Sequence, residues 1–169
     1  MATIAAPETA RLADQLERAF RGGAWHGPAL AETYAGVDAA TAAAHPVPGA
    51  HSIWEIVHHA AAWIDIARRR MAGETLGQVP IEEDWPPVAD APSPAAWKAA
   101  QDALEQAHRG LHAAVLELPE HCLEDCVAGS DPTIRGLLLG LLQHQAYHAA
   151  QIVILRKASA AASGAGGGR

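Results

Sequence analysis

The sequence predicts an all-α protein, a four-helix bundle with short extra helices between the first and second long helices. Three observations predict it. Half of the 169 residues are apolar but only 5% are aromatic, so the apolar content is largely Ala, Leu, Ile and Val, which suits closely packed helices. Apolar residues recur at three- and four-residue spacing in four long stretches, the period of a helix with one buried face. No stretch alternates with period 2 for long, so no sheet is expected.

The first helix is expected over Glu8 to Arg21, where Leu12, Leu16, Ala19 and Phe20 form the stripe and Gly22-Gly23 stop it. Pro28 to Ala35 and Asp38 to Ala44 are each expected to make a short helix, with Asp38 as N-cap. The second long helix runs from Ser52 to Ala72. Ser52 and Glu55 match the S-x-x-E capping box, Arg68-Arg69-Arg70 occupy the final turns as a solvated cationic end, and Gly73 ends the helix. Glu74 to Ser93, with Pro80, Pro86, Pro87 and Pro92, is expected to be a loop. Ser93-Pro94 opens the third helix, which runs to Leu118 before Pro119. Pro119 to Ser130 connects to the fourth helix, expected from Asp131-Pro132 to Lys157.

That fourth helix is apolar nearly all round, with Leu139, Leu142, Val153 and Ile154 off the main stripe. A helix apolar on two faces usually meets a second partner, and a homodimer is expected. Residues 1–157 read as a single helical domain and 158–169, the Ala/Gly/Ser-rich end, as a flexible tail.

Composition narrows the function. A net charge of −7 argues against a nucleic-acid partner. No apolar run is long enough to span a membrane, and the N-terminus lacks the pattern of a signal peptide. Two cysteines, Cys122 and Cys126, are too few for a disulfide framework; they are expected to be free thiols in a cytoplasmic protein. The unusual feature is histidine: ten, against twelve Lys plus Arg.

His144 and His148, four apart on the fourth helix, share one face. At about 100° per residue from Ile134, they fall at roughly −80° and −40°, toward the bundle or its edge. Imidazoles among leucines are costly without partners, and this pair supplies two metal ligands. A third must come from another helix. On the second helix His59 falls on the flank shared with Ile56 and Trp63, while His58 and His51 fall on the far, solvent side. His108 and His112 repeat the same spacing on the third helix and are rivals, otherwise an exposed or boundary pair. A di-metal carboxylate site, suggested by Glu55-x-x-His58 and Glu105-x-x-His108, cannot be completed, since the fourth helix has no Glu.

Two segments, HSIWEIVHHAAAW (His51 to Trp63) and GLLQHQAYHAAQI (Gly140 to Ile152), with Asp84-Trp85-Pro86 between them, resemble the DinB/YfiT-like family of metalloenzymes over residues 8–157. The resemblance implies an up-down-down-up four-helix bundle, often dimeric, and a divalent ion, zinc or nickel, on three histidines matching His59, His144 and His148. The chain departs from the family's pattern at Gln145, where Asp is common, and at Ala150. Related branches are thiol-dependent S-transferases and isomerases. The expected function is therefore a metal-dependent enzyme on a small-molecule substrate, an S-transferase using a low-molecular-weight thiol or a hydrolase using water. The alternative is a metal-stabilised, stress-related binding protein whose site is closed by a fourth protein ligand. Tyr147 and Gln151 flank His144 and are candidates to contact substrate, the alternative being hydrogen bonds within the bundle; Trp85 is a candidate pocket wall and Trp63 is expected in the core.

Overall fold

The computed structural model describes residues 6–88 and 92–165, and contains seven α-helices and no strand among them. The long helices are α1 (Glu8–Arg21), α4 (Ile53–Met71), α6 (Pro94–Glu117) and α7 (Ile134–Ala165). Short helices α2 (Leu30–Tyr34) and α3 (Ala39–Ala43) lie between α1 and α4, and the one-turn α5 (Ile81–Asp84) lies between α4 and α6.

Local chemistry sets most boundaries. The Asp38 side chain accepts a hydrogen bond from Thr41 N at 2.7 Å and starts α3. Ser52 Oγ accepts from Glu55 N and Glu55 Oε2 accepts from Ser52 N, so the capping box at α4 is reciprocal. Ser93 caps α6 through Ala96 N, with Pro94 at the first helical position. Gly73, at φ +88°, takes the left-handed turn that releases the chain from α4.

Three expectations are corrected. The loop from Glu74 to Ser93 contains α5, because Pro80 leads into a turn whose amides find carbonyl partners at Pro80 and Ile81. The last helix starts at Ile134, not at Asp131: Pro132 O accepts from Val127 N and Ile134 N donates to Asp125 O, holding this stretch extended until Thr133 Oγ1 caps Gly136 N. That helix also continues past Lys157 to Ala165; the run is rich in alanine, the best helix former, with no glycine before Gly164. Residues 166–169 lie outside the described residues.

The long helices pack in the cyclic order α1, α6, α4, α7. Directions follow from which ends meet. Arg21 and Glu17 of α1 reach Glu105 and His108, while Glu8 reaches Glu120 just past α6, so α1 and α6 are antiparallel. Trp54 meets Trp97, and Arg68 lies against Gly110, so α4 and α6 run parallel. Arg135 reaches back to Glu8, placing the starts of α1 and α7 together. The result is up-down-down-up. Parallel neighbours α4 and α6 need a connection that returns the length of the bundle, and this crossover carries α5 and Trp85 across one edge. The core between the helices includes Leu16, Phe20, Trp54, Leu104, Leu111 and Leu138, all fully buried.

Candidate metal centre

His59 on α4 and His144 and His148 on α7 converge. His144 Nε2 lies 3.0 Å from His59 Nε2 and 3.0 Å from His148 Nε2. Two nitrogens at about 2.0–2.1 Å from one ion are separated by such a distance when they subtend roughly a right angle at it. His59 and His148 are buried and His144 is half-buried.

The outer nitrogens fix which lone pairs point inward. His59 Nδ1–H donates to the Asp84 carbonyl at 2.6 Å, with the Asp84 carboxylate 3.2 Å away. His148 Nδ1–H donates to Gln151 Oε1 at 2.6 Å. Both rings are thereby held as the tautomer whose Nε2 is a bare acceptor. A proton on His144 Nε2 can satisfy only one of them, leaving the other close contact repulsive. A cation shared by three lone pairs satisfies all, so the donor set fits a divalent metal. Burial pushes His144 and His148 down to about 4, with the neighbouring histidine charges adding to it, and lowers His59 by the same desolvation. Near neutral pH the three rings are therefore uncharged, the form that ligates.

The crossover reinforces the site. Trp63 Nε1–H donates to Asp84 Oδ1 at 2.6 Å, tying α5 to α4. Trp85 stacks on His59 at 3.8 Å between ring centroids and also on His51 at 3.5 Å. His51 is exposed, as its place on the solvent side of the helix leads one to expect, and stacks on Trp85 from there.

The other sequence candidates fall elsewhere. His58 is half-buried, not solvent-facing, and its Nε2 accepts from Trp54 Nε1 at 3.1 Å. His108 is fully buried, stacked on Phe20 and bonded through Nε2 to Glu17 at 2.7 Å, so it is no exposed ladder; among the described residues its rival pairing with His112 brings together no third ligand. Cys122 and Cys126 are free, half-buried and exposed respectively. Tyr147 is 61% exposed, its ring edge-on to His148, and Gln151 is occupied by His148.

An apolar cleft of about 460 Å³ opens onto His59 and His144; His148, buried behind them, does not line it. His59, Trp63, Ala67 and Asp84 line one wall, Gly136, Leu137, Gly140, Leu141 and His144 the other. Trp63 therefore walls this cleft, whereas Tyr147, Gln151 and Trp85 do not line it. Asp84's two roles escaped sequence reasoning, whereas Gln151's grip on His148 is a hydrogen bond within the bundle, the alternative expected for it. A helical wheel does point to the latter, since Gln151 sits three residues after His148.

The profile of the DinB superfamily matches residues 24–152. The chain belongs to the DinB superfamily. No curated protein and no solved structure gives a match. Membership agrees with the up-down-down-up bundle and with the three-histidine cluster, both found in this superfamily member on its own geometry.

Proposed function

We propose that this DinB-superfamily chain is a divalent-metal-dependent enzyme acting on a small molecule, with His59, His144 and His148 as the ligands and zinc or nickel as the ion. The observation that carries the reading is the convergence of three Nε2 atoms from rings of which two, His59 and His144, line an apolar cleft. A bound divalent ion there supplies a lowered pKa for a thiol or for water near neutral pH. The chain's residues do the rest. Asp84 and Gln151 hold two ligand rings in register, Trp85 covers His59, and the Trp63–Leu141 walls desolvate the acceptor. Among the described residues the cluster contains three ligands and no fourth, which favours an enzyme over a closed, structural site. The reaction best suited to it is transfer to or from a low-molecular-weight thiol, with hydrolysis as the other use of the same activation.

Protein exchanged into cobalt is the test. Titration with small thiols is expected to produce an intense sulfur-to-metal charge-transfer band. A bound ion whose spectrum no thiol alters removes thiol transfer and leaves the hydrolytic reading.

The α7 surface supports a homodimer as a further part of this proposal. Leu139, Tyr147 and Ile154 are exposed along it, and no Asp, Glu, Lys or Arg occurs between Arg135 and Arg156. Sedimentation at micromolar concentration is expected to show a dimer that Ile154→Lys converts to monomer; a monomeric parent refutes it. Among the described residues no helix is long and apolar enough to cross a membrane.

A further inference from the structure

The α4 helix ends in three consecutive arginines, and their environments differ. Arg68 pairs with Asp65, and Arg69 pairs with both Glu74 and Glu83. Arg70 has no acidic partner among the described residues. Its guanidinium carbon lies 5.8 Å from the centroid of the Trp63 ring, and its Nε is buried without a hydrogen-bond partner. The solvated cationic end expected from sequence therefore applies to Arg68 but not to Arg70, which is half-buried.

Position explains why this matters. At about 100° per residue, Arg70 lies at the azimuth between His59 and Trp63, on the helix face that lines the cleft. Along that face the order is His59, Trp63, Ala67, Arg70. Trp63 is a shared wall: its ring centroid is 5.8 Å from that of His144 on one side and 5.8 Å from the Arg70 guanidinium on the other. The cleft thus runs from His59 and His144 across an indole and an alanine, and Arg70 stands just beyond its lining residues, against the same Trp63 indole. Pro132 and Gly136, at the start of α7, line that same distal end, where the amino end of a long helix adds positive potential. The one acidic group on the cleft wall, Asp84, is engaged by Trp63 Nε1 and faces His59, at the triad end.

We propose that the cleft takes small molecules with an apolar body and a terminal monoanion, a carboxylate in the simplest case, with Arg70 as the residue that selects the anion. A guanidinium matches a carboxylate bidentately, and in a largely apolar setting an unpaired one gains more from such a partner than from water. The apolar body lies along Trp63 and Ala67, and the opposite end of the molecule meets the triad. This specifies the substrate class for the metal-dependent function proposed above and rests on that reading for its catalytic meaning, though not for the binding itself.

The test is calorimetric titration with hexanoate and with hexanamide, its neutral counterpart of similar size, on metal-loaded and metal-free protein. Hexanoate is expected to bind at least tenfold more tightly than hexanamide in both forms. Arg70→Gln is expected to abolish that preference while hexanamide binding stays unchanged, and Arg70→Lys to keep part of it; circular dichroism checks that each variant is folded. Equal affinity for the two probes in the parent protein, or an undiminished preference in Arg70→Gln, overturns the inference. Because the metal-free arm reads the anion end alone, failure of the metal reading leaves this result standing. Conversely, equal affinity for the two probes in the parent protein, with the cobalt response to thiols intact, removes Arg70 as selector and spares the metal site.

Discussion

Alanine at His59, His144 or His148 is expected to strip the protein of its ion, each single change lowering metal content from near stoichiometric to a few per cent after dialysis. Removing one of three ligands leaves a two-nitrogen site, and here each remaining nitrogen has lost a partner 3.0 Å away or the geometry that centres it. The three variants should not behave alike in the metal-free state. His59 also bonds to Asp84 O and stacks on Trp85, so its loss loosens the crossover, whereas His144 makes no hydrogen bond beyond the triad among the described residues. Gln151→Ala supplies the graded comparison: it keeps all ligands but frees His148, and its metal affinity is expected to fall by about 10–100-fold. The double variant His108→Ala with His112→Ala is expected to keep its metal. Metal analysis and competition with a chelator measure all of these. Full metal in any single triad variant removes that residue from the site, and loss in the His108/His112 variant moves the site to the third long helix.

How much of this was legible beforehand depends on where each interaction partner lies in the chain. The bounds of α1, the caps at Asp38, Ser52 and Ser93, and the pairing of His144 with His148 involve residues within one or two helical turns, and local patterning contains them. Angular position on α4 favoured His59 over His58 without deciding between them, and the resemblance of the two histidine segments to the family made the choice. What patterning could not contain is the return path of the crossover. Asp84 is 25 residues from His59 in sequence, and their hydrogen bond exists because α6 runs parallel to α4 and the chain must travel back past the site. For His108 the wheel gave a place near its own helix's apolar stripe, but not its partners, since Glu17 and Phe20 belong to α1. Arg70 was hidden inside a run of like residues, where composition suggests one shared role and only three-dimensional pairing separates them.

Gly140→Leu is expected to separate metal binding from access to the metal. Gly140 lines the cleft beside His144 but contributes nothing to the ligand set. A Cβ built there meets no atom within 4 Å, so the added side chain grows into the cleft rather than into the core. Within a helix the exchange of glycine for leucine is favourable by roughly 0.5–1 kcal/mol, so folding is not expected to suffer. The variant should therefore keep its ion and melt no lower than the parent. On cobalt-loaded protein the response to 2-mercaptoethanol, small enough to pass the new side chain, should persist. The apparent affinity for phenylmethanethiol should fall by about 100-fold, the order of penalty that displacing a reactant from its docking geometry carries. An unchanged response to both thiols would mean that molecules reach the triad by another route. One such route exists in outline: a smaller pocket of about 220 Å³, bounded by His51, Ile56 and Gln151, lies on the other side of the His148–Gln151 hydrogen bond. Gln151 would then act as a gate as well as a support, and Gln151→Ala should increase the phenylmethanethiol response instead of leaving it alone. The two variants thus assign the approach path between the faces of the triad, since only one of them can alter entry of the bulky thiol without altering entry of the small one.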